Sequence, residues 1–212
     1  KGKGVSFIEG KPGWHGKPLD PKQMQQALAE LGDPQVKLRV EPRRIGQFRR
    51  PARTASAPRI KLDYKLGDQV ATRAAPNAAL EKLGAIRPEI VVLDGDVKNS
   101  TGAEAFAKKF PDRFFESYIA EQNMIGAAIG LAASDKLPYA ATFACFLTRA
   151  YDFIRMAQYS GPPHLVLCGS HAGVSMGEDG PSQMGLEDIA MFRALIESTV
   201  LYPADAVSAE RL

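Results

Sequence analysis

From residue 90 onward, short apolar, β-branched runs alternate with segments whose apolar positions recur at helical spacing. Residues 90–93 predict a strand, 102–109 a helix and 114–116 a short strand. Residues 121–134 predict a helix carrying Met124, Ile125, Ala128, Ile129 and Ala132 on one face. A strand at 139–143, a helix at 148–159, a buried strand at 165–168, a helix at 186–195 and a strand at 199–202 follow. Such alternation predicts an α/β fold, a mostly parallel sheet with helices on both faces. Ligands of such sheets bind beyond the carboxyl ends of the strands. Polar segments fall at those ends, at 94–101, 116–123, 143–149 and 169–183. Upstream, residues 2–16 are Gly-rich apart from a short strand candidate at 5–8. Residues 21–31 predict a helix with Asp20 as N-cap and Pro21 as its first residue, where a missing N–H costs nothing.

Charge divides the chain. Residues 35–61 hold nine Lys or Arg and one acid, Glu41, together with Pro42, Pro51 and Pro58, and show neither apolar period. That composition predicts an extended linker over a surface. A nucleic-acid role is the sharper alternative, but Phe48 is the only aromatic there available for stacking. The domain reading is therefore 1–34, a linker at 35–64, and an α/β domain at 65–212. The 212 residues, 45% hydrophobic and 24% charged with a net charge of +3, have the composition of an ordinary globular protein. No run approaches the length of a membrane helix, so no membrane association is expected. Cys145 and Cys168 fit neither a disulfide framework nor a zinc pattern and read as buried reduced thiols, which points to the cytoplasm. The chain opens on Lys-Gly-Lys-Gly-Val and stops within a predicted helix, 204–212, and so reads as part of a longer polypeptide.

The most unusual stretch is residues 169–184, Gly-Ser-His-Ala-Gly-Val-Ser-Met-Gly-Glu-Asp-Gly-Pro-Ser-Gln-Met. It lies between a strand and a helix and carries His171, Glu178 and Asp179; a shaped binding loop and a well-capped structural loop both fit it. Glu121 opens a helix, where an acid complements the macrodipole whether or not it does anything else. His15 follows Trp14 in a Gly-rich loop. Phe143 and Phe146 fit core packing, and Arg73 a surface position. Asp94-Gly95-Asp96 suits a hard cation or an ordinary turn.

In combination these segments resemble the transketolase family of thiamine-diphosphate enzymes over essentially the whole chain. The resemblance rests on six blocks in order: Trp14-His-Gly-Lys-Pro-Leu, Ala71-Thr-Arg, Leu93-Asp-Gly-Asp-Val-Lys-Asn-Ser-Thr, Tyr118-Ile-Ala-Glu-Gln-Asn-Met, Thr142-Phe-Ala-Cys-Phe-Leu-Thr-Arg-Ala-Tyr-Asp and Cys168 through Met184. Gln183, where many bacterial and fungal members have histidine, is similar to the animal-type branch. The resemblance implies that residues 1–34 end a diphosphate-binding domain and that 65–212 form most of a pyrimidine-binding domain. The family's Gly-Asp-Gly metal motif is not in these residues, and Asp94-Gly95-Asp96 is not its equivalent.

The family implies an activity: reversible transfer of a two-carbon ketol unit from a ketose phosphate to an aldose phosphate, within the pentose phosphate pathway. Thiamine diphosphate is the implied cofactor, held through Mg²⁺ or Ca²⁺ whose ligands belong to the missing diphosphate domain. Glu121 takes the place of the cofactor-activating glutamate, hydrogen-bonded to the aminopyrimidine. Phe143 and Phe146 take the place of its aromatic pocket, and Asp96 that of a residue near the thiazolium. His15 and His171 match histidines at the substrate hydroxyls and reacting carbon, with His15 also near the cofactor. Asp179 and Gln183 match contacts to substrate hydroxyls, and Arg73 and Ser100 contacts to the sugar phosphate, a role that suits the guanidinium fork. The family implies a homodimer with the site between subunits. These 212 residues alone are expected to be inactive. The rivals are another thiamine-diphosphate enzyme, such as a deoxyxylulose-phosphate synthase or a 2-oxoacid dehydrogenase component, and a catalytically silent homologue.

Overall fold

The computed structural model describes residues 2–14, 17–33, 60–160 and 164–212. They belong to two units, Lys1–Arg49 and Arg50–Leu212. Most of the predicted linker, and His15, lie outside the described residues.

In the first unit, helix α1 (Pro21–Leu31) begins as the sequence predicts. The Asp20 carboxylate accepts from Gln23 N at 2.8 Å, and the Gln23 side chain accepts from Asp20 N at 3.2 Å, a reciprocal capping box. Residues 5–8 do not form the expected strand. Ile8 N and Glu9 N both donate to Val5 O, at 3.0 and 2.9 Å, which closes a turn. A short apolar run with glycines on either side and no partner strand among the described residues satisfies its backbone locally. Val5 and Ala27 are buried, and Glu30 accepts from Ser6 N and Ser6 Oγ at 2.6 and 2.8 Å, fastening the turns to α1.

The second unit is the expected α/β domain. Helix α2 (Ala74–Ile86) leads into β1 (Ile90–Asp94), followed by α3 (Lys98–Thr101), α4 (Glu104–Lys109), β2 (Phe114–Glu116), α5 (Glu121–Ala133) and β3 (Leu137–Phe143). A 3₁₀ turn, Ala144–Ala150, then leads into α6 (Tyr151–Ala157), β4 (Val166–Ser170), α7 (Asp188–Arg193) and α8 (Ala206–Arg211). The four strands are all parallel, in the order β2-β1-β3-β4. Every residue of β1 is buried, as its unbroken apolar run requires of a strand covered on both faces. Successive residues serve opposite layers. Val92 packs with Leu80, Ala103 and Phe106, whereas Leu93 packs with Met124, Ile125, Ala128, Leu147 and Ile154.

Helix α2 went unforeseen, and three expectations for this unit need correction. The helix expected at 148–159 is a 3₁₀ turn and the shorter α6, closed by a second 3₁₀ turn at Gln158–Ser160. β4 is an edge strand, not a buried one, and Val166 is 53% exposed. Residues 199–202 form no strand; the Tyr202 hydroxyl instead donates to Ala172 O at 3.2 Å.

The chain leaves β1 toward β2 on one side and leaves β3 toward β4 on the other. The carboxyl ends of β1 and β3 therefore flank a topological switch point, where open α/β sheets bind ligands.

Candidate functional site

Glu121 is the first residue of α5 and its carboxylate is only 3% exposed. A carboxylate so placed needs a partner, since burying an unpaired charge is costly. The Arg149 guanidinium supplies it, with Nη1 2.6 Å from Glu121 Oε1. Arg149 comes from the 3₁₀ turn after β3, and its guanidinium also lies 4.6 Å from the centre of the Phe146 ring. Phe146 stacks on Phe143 at 5.0 Å between ring centres, and Phe143 stacks on the His171 ring at 3.7 Å. His171 Nδ1 lies 3.0 Å from Ser170 Oγ, and its Nε2 lies 3.2 Å from Asp179 Oδ2. Glu121, Arg149, Phe146, Phe143, His171 and Asp179 thus form one unbroken chain of contacts across the carboxyl ends of β2, β3 and β4.

Local geometry explains how the sequence builds this. Gly169 packs against Ala144, and a Cβ there would sit 2.9 Å from Ala144 Cα, so only glycine lets β4 run close beneath the turn that carries Phe146 and Arg149. His171 adopts a left-handed backbone, φ 60°, which turns the chain out of β4. That conformation is strained for a side chain with a Cβ and is held by two backbone bonds. Gly185 N donates to His171 O at 2.8 Å, and Gly173 N donates to Gly185 O at 2.7 Å, folding the long loop back on itself. Gln183 lies in a 3₁₀ turn of this loop, where its side-chain oxygen accepts from Ser182 Oγ. Cys145 Sγ meets Ser182 O at 3.5 Å. Both cysteines are free thiols but only partly buried, against expectation; Cys145 sits on the 3₁₀ turn after β3 and Cys168 on the edge strand.

At the end of β1 the two acids of Asp94-Gly95-Asp96 have separate fates. Asp94 is fully buried; it accepts from Val97 N and Thr101 Oγ1, both at 2.7 Å. Burial pushes its carboxyl above the ordinary aspartate value, and these two bonds pull against that rise. Asp96 is exposed with φ 65°, and its N–H donates to Glu116 Oε1 at 3.1 Å. The same carboxylate accepts from Tyr118 N, another left-handed residue, and from Lys98 Nζ at 2.5 Å. Burial raises the Glu116 pKa, but the bonds from Lys98 and the two backbone amides outweigh it and leave the carboxyl below the ordinary glutamate value. Among the described residues no three His, Cys, Asp or Glu side chains gather as a metal site would require. No helix among them is long and apolar enough to cross a membrane.

Arg73 and Ser100 stand apart from the aromatic group. Arg73 is exposed at the start of α2, and Ser100 is half-buried in α3. Sequence reasoning gave no role to Arg149, Glu116 or Asn77. Arg149 had a signal, its spacing of three from Phe146, which is itself three from Phe143. Asn77 is polar among the inward alanines of an Ala-rich segment, Ala75 and Ala79, which also marks it.

These contacts fit an aminopyrimidine. A buried carboxylate and the stacked rings it reaches through Arg149 offer a polar edge and an aromatic face, and Thr142 Oγ1, buried near the end of β3 beside Gly95, has no hydrogen-bond partner among the described residues.

Comparison with known proteins agrees. Residues 68–212 match the family described as transketolase, pyrimidine binding domain. The chain is 48% identical to the transketolase of Rattus norvegicus over 217 aligned residues, which cover all of this chain and 34% of the relative. Among solved structures it is similar to a split-gene transketolase, described as an inactive β4 tetramer, at 42% identity and a TM-score of 0.58, over 67% of this chain and 45% of that one. The transketolase of Pichia stipitis in complex with sedoheptulose 7-phosphate gives a TM-score of 0.54 at 26% identity, over 62% of this chain and 21% of that one. The chain spans about a third of the length of the curated relatives it matches. With buried acid, aromatic shelf and histidine loop at the switch point of a parallel sheet, it belongs to the transketolase family.

Proposed function

We propose that this chain is the pyrimidine-binding part of a longer enzyme that transfers a two-carbon ketol unit reversibly from a ketose phosphate, such as xylulose 5-phosphate, to an aldose phosphate, such as ribose 5-phosphate. The observation that carries the reading is the buried Glu121 carboxylate, joined through Arg149 to the stacked Phe146, Phe143 and His171. Thiamine diphosphate, when bound, would supply a carbon nucleophile for the ketose carbonyl, and the ligands of its Mg²⁺ or Ca²⁺ would come from the diphosphate-binding domain.

The chain's own residues bind, orient and move protons. Glu121 presents a carboxyl oxygen to the pyrimidine ring nitrogen and shares a proton there. Phe143 and Phe146 hold the ring by stacking. Asp96, fixed by Glu116, faces the thiazolium side. His171, held between Ser170 and Asp179, passes a proton at the substrate oxygen, and a proton-relaying role is also proposed for His15. Asp179 and Gln183 read the substrate hydroxyls. Arg73 and Ser100 take the phosphate. The domain boundaries proposed are those expected from the sequence, 1–34, 35–64 and 65–212, and the assembly proposed is a homodimer that completes each site across its interface. The two free thiols support a reducing, cytoplasmic setting.

The test is ketol transfer from xylulose 5-phosphate to ribose 5-phosphate by the longer polypeptide, with thiamine diphosphate and magnesium, wild type beside Glu121→Gln. A fall of about 10²–10⁴ in kcat for the variant is expected. Equal activity in both removes Glu121 as activator. No transfer by wild-type protein that binds the cofactor overturns the reading in favour of a related thiamine enzyme or a silent homologue.

A further inference from the structure

Asn77 is buried, 8% exposed, on the inward face of α2 between Ala75 and Ala79. A buried amide there is unfavourable unless its hydrogens are used, and an apolar side chain would pack without that cost. Both N–H groups of the amide have acceptors. Nδ2 donates to Arg73 O and to Thr101 O, each at 2.6 Å. Arg73 is the first residue before α2, and Thr101 directly follows Ser100 in α3, so one amide ties together two backbone segments that are remote in sequence.

Thr101 is fixed from its other side as well, since its hydroxyl donates to the buried Asp94 carboxylate at the end of β1. The order of attachment runs from the sheet through Asp94, Thr101 and Asn77 to Arg73. The neighbouring residue makes room for it. Gly102 has φ 85°, and a Cβ at that position would collide with the Asn77 amide.

We propose that Asn77 is the positioning residue for the phosphate end of the substrate, setting the backbones of Arg73 and Ser100 at the separation that a sugar phosphate requires. This rests on the reading of Arg73 and Ser100 as phosphate contacts. A residue that acts in this way moves recognition of phosphate and nothing else, whereas a residue that merely holds the domain together lowers activity on every substrate alike.

The experiment uses the longer enzyme with its cofactor and glycolaldehyde as common acceptor. Xylulose 5-phosphate and unphosphorylated xylulose are compared as donors for wild type, Asn77→Ala, Gly102→Ala and Arg73→Gln. Asn77→Ala is expected to raise KM for xylulose 5-phosphate about tenfold with kcat nearly unchanged, and to leave kcat/KM for xylulose as in wild type. Gly102→Ala, which displaces the same amide from the other side, is expected to show the same selectivity, and it decides the matter if Asn77→Ala does not fold. Equal losses on both donors, or no change on either, overturn the positioning role while Arg73→Gln still discriminates. If Arg73→Gln also fails to discriminate, the phosphate reading falls and the inference falls with it.

Discussion

Around Glu121 the side chains proposed for chemistry are themselves core. Glu121 and Phe143 are buried, and their neighbours are rings and a guanidinium. Around Arg73 the reverse holds: the arginine proposed to meet phosphate is exposed, and the buried Asn77, Thr101 and Asp94 hold its backbone. A cofactor that stays in place can be met by a preformed apolar wall, and building that wall from the core gives it rigidity without extra parts. A substrate that must enter and leave needs solvent-facing contacts, so precision is moved one layer inward, into satisfied polar bonds.

The difference is sharpest under truncation. Phe143→Ala removes a ring from the core and from the proposed cofactor shelf together, so stability is expected to fall by about 3–4 kcal/mol, with weaker cofactor binding beside it. Arg73→Gln, at the exposed corner, is expected to change stability by less than about 0.5 kcal/mol. Urea denaturation of both variants in the longer polypeptide reads this directly. Comparable losses in the two would erase the distinction between the corners.

Sequence periodicity captured the α/β class, β1, β2, α1 and α5 because each has a clear apolar pattern or a strong cap. It failed where tertiary contact decides. Residues 199–202 are β-prone, yet Tyr202 donates to Ala172 on a loop and no strand among the described residues pairs with them. β4 looked buried because it is apolar, but only its place at the sheet edge sets its exposure. Helix α2 was hidden by Pro76, which sits in the first turn, where proline does little harm. The candidate site residues were named only through the blocks that resemble a family, and no feature of composition pointed to Glu121. Asn77 and Glu116 stayed unread, since their bonds reach residues 24 and 20 positions away.

Next in size is the Arg149–Glu121 pair. Arg149 is half exposed, so solvent screens its contribution, while Glu121 is buried and left uncompensated when the guanidinium goes. Arg149→Gln is expected to cost about 1–2 kcal/mol, below the value for a fully buried pair. Arg149→Lys should recover only part of this, because an ammonium cannot both lie flat on Phe146 and reach Glu121. Thermal denaturation of the three proteins checks it, and an unchanged Tm for Arg149→Gln would show that Glu121 has other sufficient partners.

The smallest expected effect concerns Glu116, which tightens the β1 corner by fixing Asp96 and Tyr118, both in left-handed conformations. Its carboxyl is held below the ordinary glutamate value of 4.5, with Lys98 the chief favourable partner against the opposing effect of burial. A group depressed on folding stabilises the native state above its unfolded pKa, and that contribution is lost as pH falls through the folded pKa. Wild type is therefore expected to exceed Glu116→Gln by about 1 kcal/mol at neutral pH, with the gap closing under acid as Glu116 protonates. Denaturation midpoints of both proteins, taken from neutral pH down through the carboxylate range, test this. A gap that is constant with pH would mean that Glu116 acts at this corner through shape alone, and the two strained residues would then owe their conformation to packing instead of to its charge.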